Sequence, residues 1–184
     1  MVDFFRRRPC KGDTNACWEK TNPLEKSRLL KPNLGVILID MQHDFVSKIH
    51  PEDHKERIIR CQRNVLSECA NKDIPVITLE YKSKGNTIRE LNELLQNIPR
   101  HITFKKKYDN GFTNPDLEIQ INEWGIKEGF FMGINASCCV RQTAAGAIQR
   151  GINIHTSSYV IGGQQHHPEN LDKRWYLANG KFYE

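Results

Sequence analysis

Apolar residues along this chain fall into five short runs, separated by stretches whose apolar positions recur at helical spacing. The first run, Leu34-Gly35-Val36-Ile37-Leu38-Ile39, is unbroken and rich in branched residues, as in a strand covered on both faces. Pro75-Val76-Ile77-Thr78-Leu79, Ile102–Phe104, Gly129–Ile134 and Ile152–Ser157 read as further strands. Between them, Asp53 to Asn71 places Ile58, Ile59, Cys61, Val65, Leu66 and Cys69 on one side of an amphipathic helix. Thr87 to Gln96 predicts a short helix stopped by Pro99, and Leu117 to Trp124 one closed by Gly125. The Ala-rich stretch Val140 to Arg150 predicts a helix with Gly151 at its end. Strands alternating with helices in this way predict a three-layer α/β domain with a mainly parallel sheet.

The ends depart from the pattern. Residues 1–33 lack sustained periodicity and carry Pro9, Gly12, Pro23 and Pro32, so they read as an N-terminal extension ahead of a domain spanning 34–184. Near the other end, Asn179-Gly180 lies between Trp175-Tyr176-Leu177 and Lys181-Phe182-Tyr183, which signals a hairpin, with a frayed helix end as the alternative.

Composition narrows the function classes. The 184 residues include 27 Lys and Arg against 22 Asp and Glu, a net charge of +5 spread along the chain. The short clusters Arg6-Arg7-Arg8 and Lys105-Lys106-Lys107 lack the interleaved aromatics that stack single strands, so nucleic acid is not an expected partner. No run approaches the roughly 20 apolar residues of a membrane span, and the first residues lack the apolar core of a signal peptide; a cytoplasmic protein is expected. Six cysteines stand at 10, 17, 61, 69, 138 and 139 without a C-x-x-C pair or a matching histidine cluster. They are expected to be reduced thiols, with Cys61 and Cys69 buried in the helix and no zinc site. His50 and His54 read as surface residues, as do His166 and His167.

Three reactive side chains stand where strands end: Asp40 after Ile39, Lys106 after Phe104, and Cys139 a short turn after Ile134. Each has an ordinary explanation alone, as a helix cap, a solvated lysine or a buried thiol. In a parallel sheet the carboxyl ends of neighbouring strands meet at one edge, so the three together form an acid, a cation and a thiol within reach of one another. A helix N-terminus and a nearby cation are expected to lower the Cys139 pKa from its ordinary value of about 8.5. Alternation along a strand points Lys105 and Lys107 away from Lys106.

Three segments carry a family resemblance. Gly35-Val36-Ile37-Leu38-Ile39-Asp40-Met41-Gln42-His43-Asp44-Phe45, Lys106-Lys107-Tyr108-Asp109-Asn110-Gly111-Phe112 and Gly133-Ile134-Asn135-Ala136-Ser137-Cys138-Cys139-Val140-Arg141-Gln142-Thr143-Ala144 resemble, in this order, the motifs of the isochorismatase-like cysteine hydrolases, a family that includes nicotinamidases and N-carbamoyl amide hydrolases. The similarity runs from about Leu34 to Gly162. It implies a doubly wound fold and a Cys-Asp-Lys triad, with Cys139 the nucleophile, Asp40 the general base and Lys106 the cation. Cys139, not Cys138, directly precedes the family's Val. A cis peptide is implied at Ile134–Asn135, with the backbone N–H groups of Asn135 and Cys139 as the oxyanion hole. Phe45, Tyr108 and Phe112 follow the motif residues and are candidate pocket walls, although core aromatics would look the same. The implied activity is hydrolysis of a small-molecule C–N bond, amide or carbamoyl, with no metal or organic cofactor, in a homo-oligomer (dimer or tetramer).

Two departures bear on substrate. Nicotinamidases carry an Asp-x-His and a further His after the second strand, which hold a metal; here Thr78-Leu79-Glu80-Tyr81-Lys82-Ser83 has no histidine. The family's Thr three residues before the cysteine is Ala136, and its long C-terminal helix is replaced by a short aromatic tail. A vinyl-ether hydrolase of isochorismatase type and a non-catalytic binding member therefore stand as alternatives.

Overall fold

The unbroken apolar run at 34–39 is strand β1 (Leu34–Ile39), buried along its whole length at the centre of a single sheet. The computed structural model describes residues 33–163 and 172–183. Within them β1 is joined by β2 (Val76–Tyr81), β3 (His101–Lys106), β4 (Glu128–Ile134), β5 (Asn153–Ser157), β6 (Ile161–Gly162) and β7 (Lys181–Tyr183). The order is β3-β2-β1-β4-β5-β7, with β6 beside β4, and every strand pairing is parallel. Parallel strands need both faces covered, which explains why β1 and β4 read as continuous apolar runs instead of alternating ones.

Among the described residues, six α-helices accompany the sheet: α1 (His43–Val46), α2 (Glu52–Lys72), α3 (Arg89–Leu95), α4 (Pro115–Glu123), α5 (Arg141–Ile148) and α6 (Lys173–Asn179). From β1 the chain steps outward through α2 to β2 and through α3 to β3. It then returns to the other side of β1 to lay down β4 and β5. Right-handed crossovers put α2 and α3 on one face and α4 and α5 on the other. Accordingly α2 packs on α3, while α4 and α5 both meet the single 3-10 turn at Gly111–Thr113. The reversal between β1 and β4 is a topological switch point, the place where doubly wound sheets carry their binding crevice, at the strands' carboxyl ends.

Local chemistry sets the boundaries. The Asn114 side chain accepts a hydrogen bond from the Asp116 N–H and Pro115 occupies the first turn of α4, so that helix starts where its cap allows. Gly133 carries φ of +134°, and a Cβ there would lie 2.0 Å from the Ile39 carbonyl oxygen. Only glycine lets β4 press this closely on the end of β1.

Several expectations need correction. β2 runs on through Tyr81, and β3 takes in His101 and Lys105-Lys106, because the parallel pairing continues from Val76–His101 through Glu80–Lys105 to Tyr81–Lys106. The hairpin at Asn179-Gly180 does not form. Residues 173–179 are the helix α6, and Gly180 leads directly into β7, parallel to β5. A Cβ at Gly180 would sit 2.3 Å from Ile154 Cγ1, so this glycine serves a close approach to the sheet rather than a turn. The extension at 1–33, apart from Asn33, lies outside the described residues, as do Cys10, Cys17, His166 and His167. Among the described residues, no helix is long and apolar enough to cross a membrane.

Candidate active site

Asp40 is the first residue beyond β1. It adopts a left-handed conformation (φ 53°) that Asp tolerates better than most residues, and its N–H donates to the Leu79 carbonyl at 2.9 Å. This turn drops the carboxylate into the crevice instead of onto α1, whose N-cap is Gln42. Lys106 ends β3, its side chain wholly buried, with Nζ 2.8 Å from Asp40 Oδ2. The same ammonium donates to the Tyr108 carbonyl at 3.2 Å and lies 4.3 Å from the centre of the Tyr81 ring. Strand alternation sends Lys105 the other way, to Glu80 at 2.5 Å.

Gln42 fixes the loop beside this pair. Fully buried, it donates to the Tyr81 and Gly85 carbonyls at 2.9 and 2.6 Å and accepts from the Tyr81 N–H at 2.7 Å. Tyr81 thus stays over the lysine, and Phe45 meets its ring edge-on at 6.1 Å.

From β4 the chain passes through a cis peptide at Ile134–Asn135 and one π-helical turn, Ala136–Val140, into α5. The Cys138 and Val140 N–H groups both donate to the Asn135 carbonyl, at 3.1 and 3.2 Å. Cys139 is 6% exposed, while Cys138 is half-buried. The two thiols share one carboxylate. Cys138 donates to Asp109 Oδ2 at 3.0 Å and Cys139 to Asp109 Oδ1 at 3.4 Å. Asp109 is held in turn by Gln142 Nε2 at 3.4 Å and by the Thr143 hydroxyl, which donates to its carbonyl at 3.2 Å. The Tyr176 hydroxyl, on α6, donates to the Ala136 carbonyl at 2.7 Å.

The electrostatics differ from expectation at the thiol. Burial pushes the Cys139 thiol up, and the Asp40 charge pushes it further, with Lys106 offsetting only part. The shift is upward, not the downward one expected from a nearby cation and a helix N-terminus, because burial and then the Asp40 charge outweigh the pull of Lys106. Burial likewise raises the Asp40 carboxyl above its ordinary 3.8, against the pull of Lys106. Such a carboxylate is a better proton acceptor, and both the Lys106 ammonium and the Cys139 thiol act on it. Burial, followed by the Asp109 hydrogen bond, also raises Cys138. The arrangement suits a proton transfer from thiol to carboxylate made as attack occurs, not before it.

The structure brings Asp40 to Lys106 and sets Cys139 under the influence of both. The other candidates are more scattered. Tyr108 is 64% exposed, and Phe112 is buried in the core with the Arg150 guanidinium 4.5 Å over its ring. His50 is exposed as expected, but His54 is buried on α2, where Nδ1 meets Arg57 at 2.9 Å and Nε2 faces Gly162. Its place on the sheet-facing side of α2 explains the burial. Sequence reasoning missed Asp109, Tyr81, Gln42 and Tyr176. The first lies inside the lysine motif, Gln42 lies inside the first motif and Tyr81 ends β2, so position offered a signal; nothing local marks Tyr176. Two surface concavities, about 650 Å³ between α1, α2 and α3 and about 390 Å³ beside Glu128 and His155, are lined by none of the three reactive residues.

Residues 35–159 match the isochorismatase domain family, and the chain belongs to it. The streptothricin hydrolase of Streptomyces noursei is 26% identical over 129 residues, covering 66% of this chain and 51% of that protein, so the chain spans about half the length of this relative. Among solved structures, the MAR1 ribonuclease of Caenorhabditis elegans is similar at a TM-score of 0.69 and 23% identity, covering 82% of this chain and 76% of that one. The nicotinamidase of Staphylococcus aureus is similar at a TM-score of 0.72 and 14% identity, covering 84% and 100%. At these identities the structural likeness establishes the fold alone.

Proposed function

We propose that this protein hydrolyses an amide or carbamoyl C–N bond of a small molecule through a thioester on Cys139. The observation that carries the reading is the buried Asp40–Lys106 pair, 2.8 Å apart, facing a cysteine across the switch-point crevice. Asp40 takes the Cys139 proton as sulfur attacks the carbonyl carbon, and the backbone N–H groups of Asn135 and Cys139 receive the developing oxyanion. Each such donor contributes roughly 10²–10³ in rate. Asp40 then gives its proton to the departing amine. Water, deprotonated by Asp40, attacks the thioester and frees the acid and the thiol. Lys106 keeps Asp40 ionised enough to act as a base and fixes its position.

Phe45 and Tyr81 wall one side of the crevice in this reading, with Tyr108 at its rim and Phe112 supporting from the core. No step uses a metal or organic cofactor. The end of β2 offers Glu80 and Tyr81, committed to Lys105 and Lys106, where nicotinamidases carry metal-binding histidines. Assembly into a homo-oligomer and a cytoplasmic location belong to the same proposal. Exposed Ile119 on α4 and Ile148 on α5, on elements tied by the Arg150–Glu118 ion pair, suit a subunit contact.

The test is ammonia or amine release from a panel of primary amides, lactams and N-carbamoyl compounds, with nicotinamide and streptothricin included. Turnover of at least one compound, lost in Cys139→Ala and retained in Cys138→Ala, is expected. Turnover that survives Cys139→Ala would overturn the thiol mechanism.

A further inference from the structure

The Asp109 carboxylate is shared by two adjacent thiols, an arrangement that the hydrolytic cycle above does not require. The ligand atoms of Asp109, Cys138 and Cys139 all lie within 4.8 Å of one another, a grouping with the spacing and donor types of a metal site. A tetrahedral zinc ion with Zn–S of about 2.3 Å and Zn–O of about 2.0–2.2 Å sets its ligand atoms roughly 3.6–3.8 Å apart. Cys138 Sγ lies 3.0 Å from Asp109 Oδ2 and Cys139 Sγ 3.4 Å from the other oxygen, Oδ1, so gathering both sulfurs and one oxygen around an ion needs a turn of the carboxylate and side-chain movements within a 4.8 Å grouping. Two sulfurs and one carboxylate oxygen form a soft, borderline set that favours zinc over magnesium or calcium.

Further features support the site. Asp109 is already oriented by Gln142 and by the Thr143 hydroxyl, the kind of outer support that metal ligands need. Cys138 is half-buried, which gives an ion a way in to the buried Cys139. The Lys106 ammonium would repel a cation, but Asp40 neutralises it at 2.8 Å.

We propose that Asp109, Cys138 and Cys139 bind one zinc ion, with a solvent molecule in the fourth position, and that this ion reversibly blocks the active site. Binding forms two Zn–S bonds and one Zn–O bond and releases the two thiol protons to solvent, with no change of oxidation state. Coordination draws the negative charge of the Cys139 sulfur onto the ion and places the ion where a carbonyl substrate must approach, so attack is suppressed. The zinc is an inhibitor here, opposite in effect to a catalytic metal. The inhibition half rests on Cys139 being the nucleophile; the binding half does not.

The experiment uses the full-length, reduced protein titrated with Co²⁺ as a spectroscopic probe and then with Zn²⁺ against a chromogenic chelator. One equivalent of Co²⁺ with a sulfur-to-cobalt charge-transfer band is expected, displaced by Zn²⁺. Cys138→Ser and Asp109→Asn, confirmed folded by circular dichroism, should each weaken zinc binding by more than about tenfold. Absence of the band, or binding of undiminished strength in the Cys138→Ser/Asp109→Asn double variant, would overturn the site. Amine release measured with and without zinc separates the two halves. Binding accompanied by loss of turnover that a chelator restores supports both. Binding with undiminished turnover overturns the block and the nucleophile assignment while leaving the metal site standing. A missing site alongside turnover that depends on Cys139 overturns only the zinc proposal.

Discussion

Asp40 and Lys106 are each almost inaccessible to water, and a buried charge is tolerated here only because its partner is buried with it. Lys106→Met leaves Asp40 unpaired and is expected to lower stability by about 3–5 kcal/mol. The double variant Asp40→Asn/Lys106→Met removes both charges and should lose markedly less, a difference read directly from denaturant unfolding of the wild type, Asp40→Asn, Lys106→Met and the double variant. Losses that simply add would show that the pair is not coupled. The choice of Lys106 among three consecutive lysines came from the family motif, by its distance from Phe112, and strand alternation then turns Lys105 away, to Glu80. The protonation of Cys139 was not legible. Its place before a helix can be read from the chain, but its depth, and the second carboxylate contributed by Asp109 from 30 residues away, depend on packing.

At the level of elements, the site is held by pieces that are not part of it. Helix α6 reaches the turn that carries Cys139 through the Tyr176 hydroxyl, which donates to the Ala136 carbonyl. Tyr176→Phe leaves that carbonyl without its partner and should cost about 1–3 kcal/mol. Loosening the turn should also lower kcat roughly ten- to a hundredfold with little change in KM. Thermal unfolding and steady-state kinetics on one preparation check both. An unchanged kcat would make α6 a purely structural cover.

The edge of β2 offers a pH test. Burial pushes the Glu80 carboxyl up, but its bonds to Lys105 and Thr87 outweigh this and hold it below its ordinary 4.5. A carboxylate depressed in the folded state adds stability above its unfolded pKa and loses that contribution as pH falls through the lower folded value. Glu80→Gln should therefore cost about 1–3 kcal/mol at neutral pH, and the gap to wild type should close as the pH drops below about 4.5. Stability curves that stay parallel in acid would contradict it. The identities of β1 to β5 and of α2 to α5 were readable from periodicity, and β1 was readable to its exact ends, whereas β6, β7, α1 and α6 were not. Strand lengths were not, because Glu80, Lys105 and Lys106 look like loop residues until their partners are known. The same limit explains α6. Asn-Gly signals a turn when considered locally, and only the approach of Ile154 to Gly180 reveals its other use.

For the whole molecule, the order β3-β2-β1-β4-β5-β7 gathers groups separated by about a hundred residues into one crevice. Asp40 and the Cys139 turn flank the switch point itself, while Lys106 reaches in from two strands away beneath Tyr81. The central claim is that chemistry passes through sulfur in this crevice. Its most direct test is rapid-quench intact-mass spectrometry of the protein mixed with an amide that it turns over, followed by peptide mapping. An adduct of the acyl group's mass, forming and decaying within one turnover and mapping to Cys139, is the predicted result, with none in Cys139→Ala. Turnover that proceeds with no adduct at any time, or an adduct carried by Cys138 instead, would contradict it.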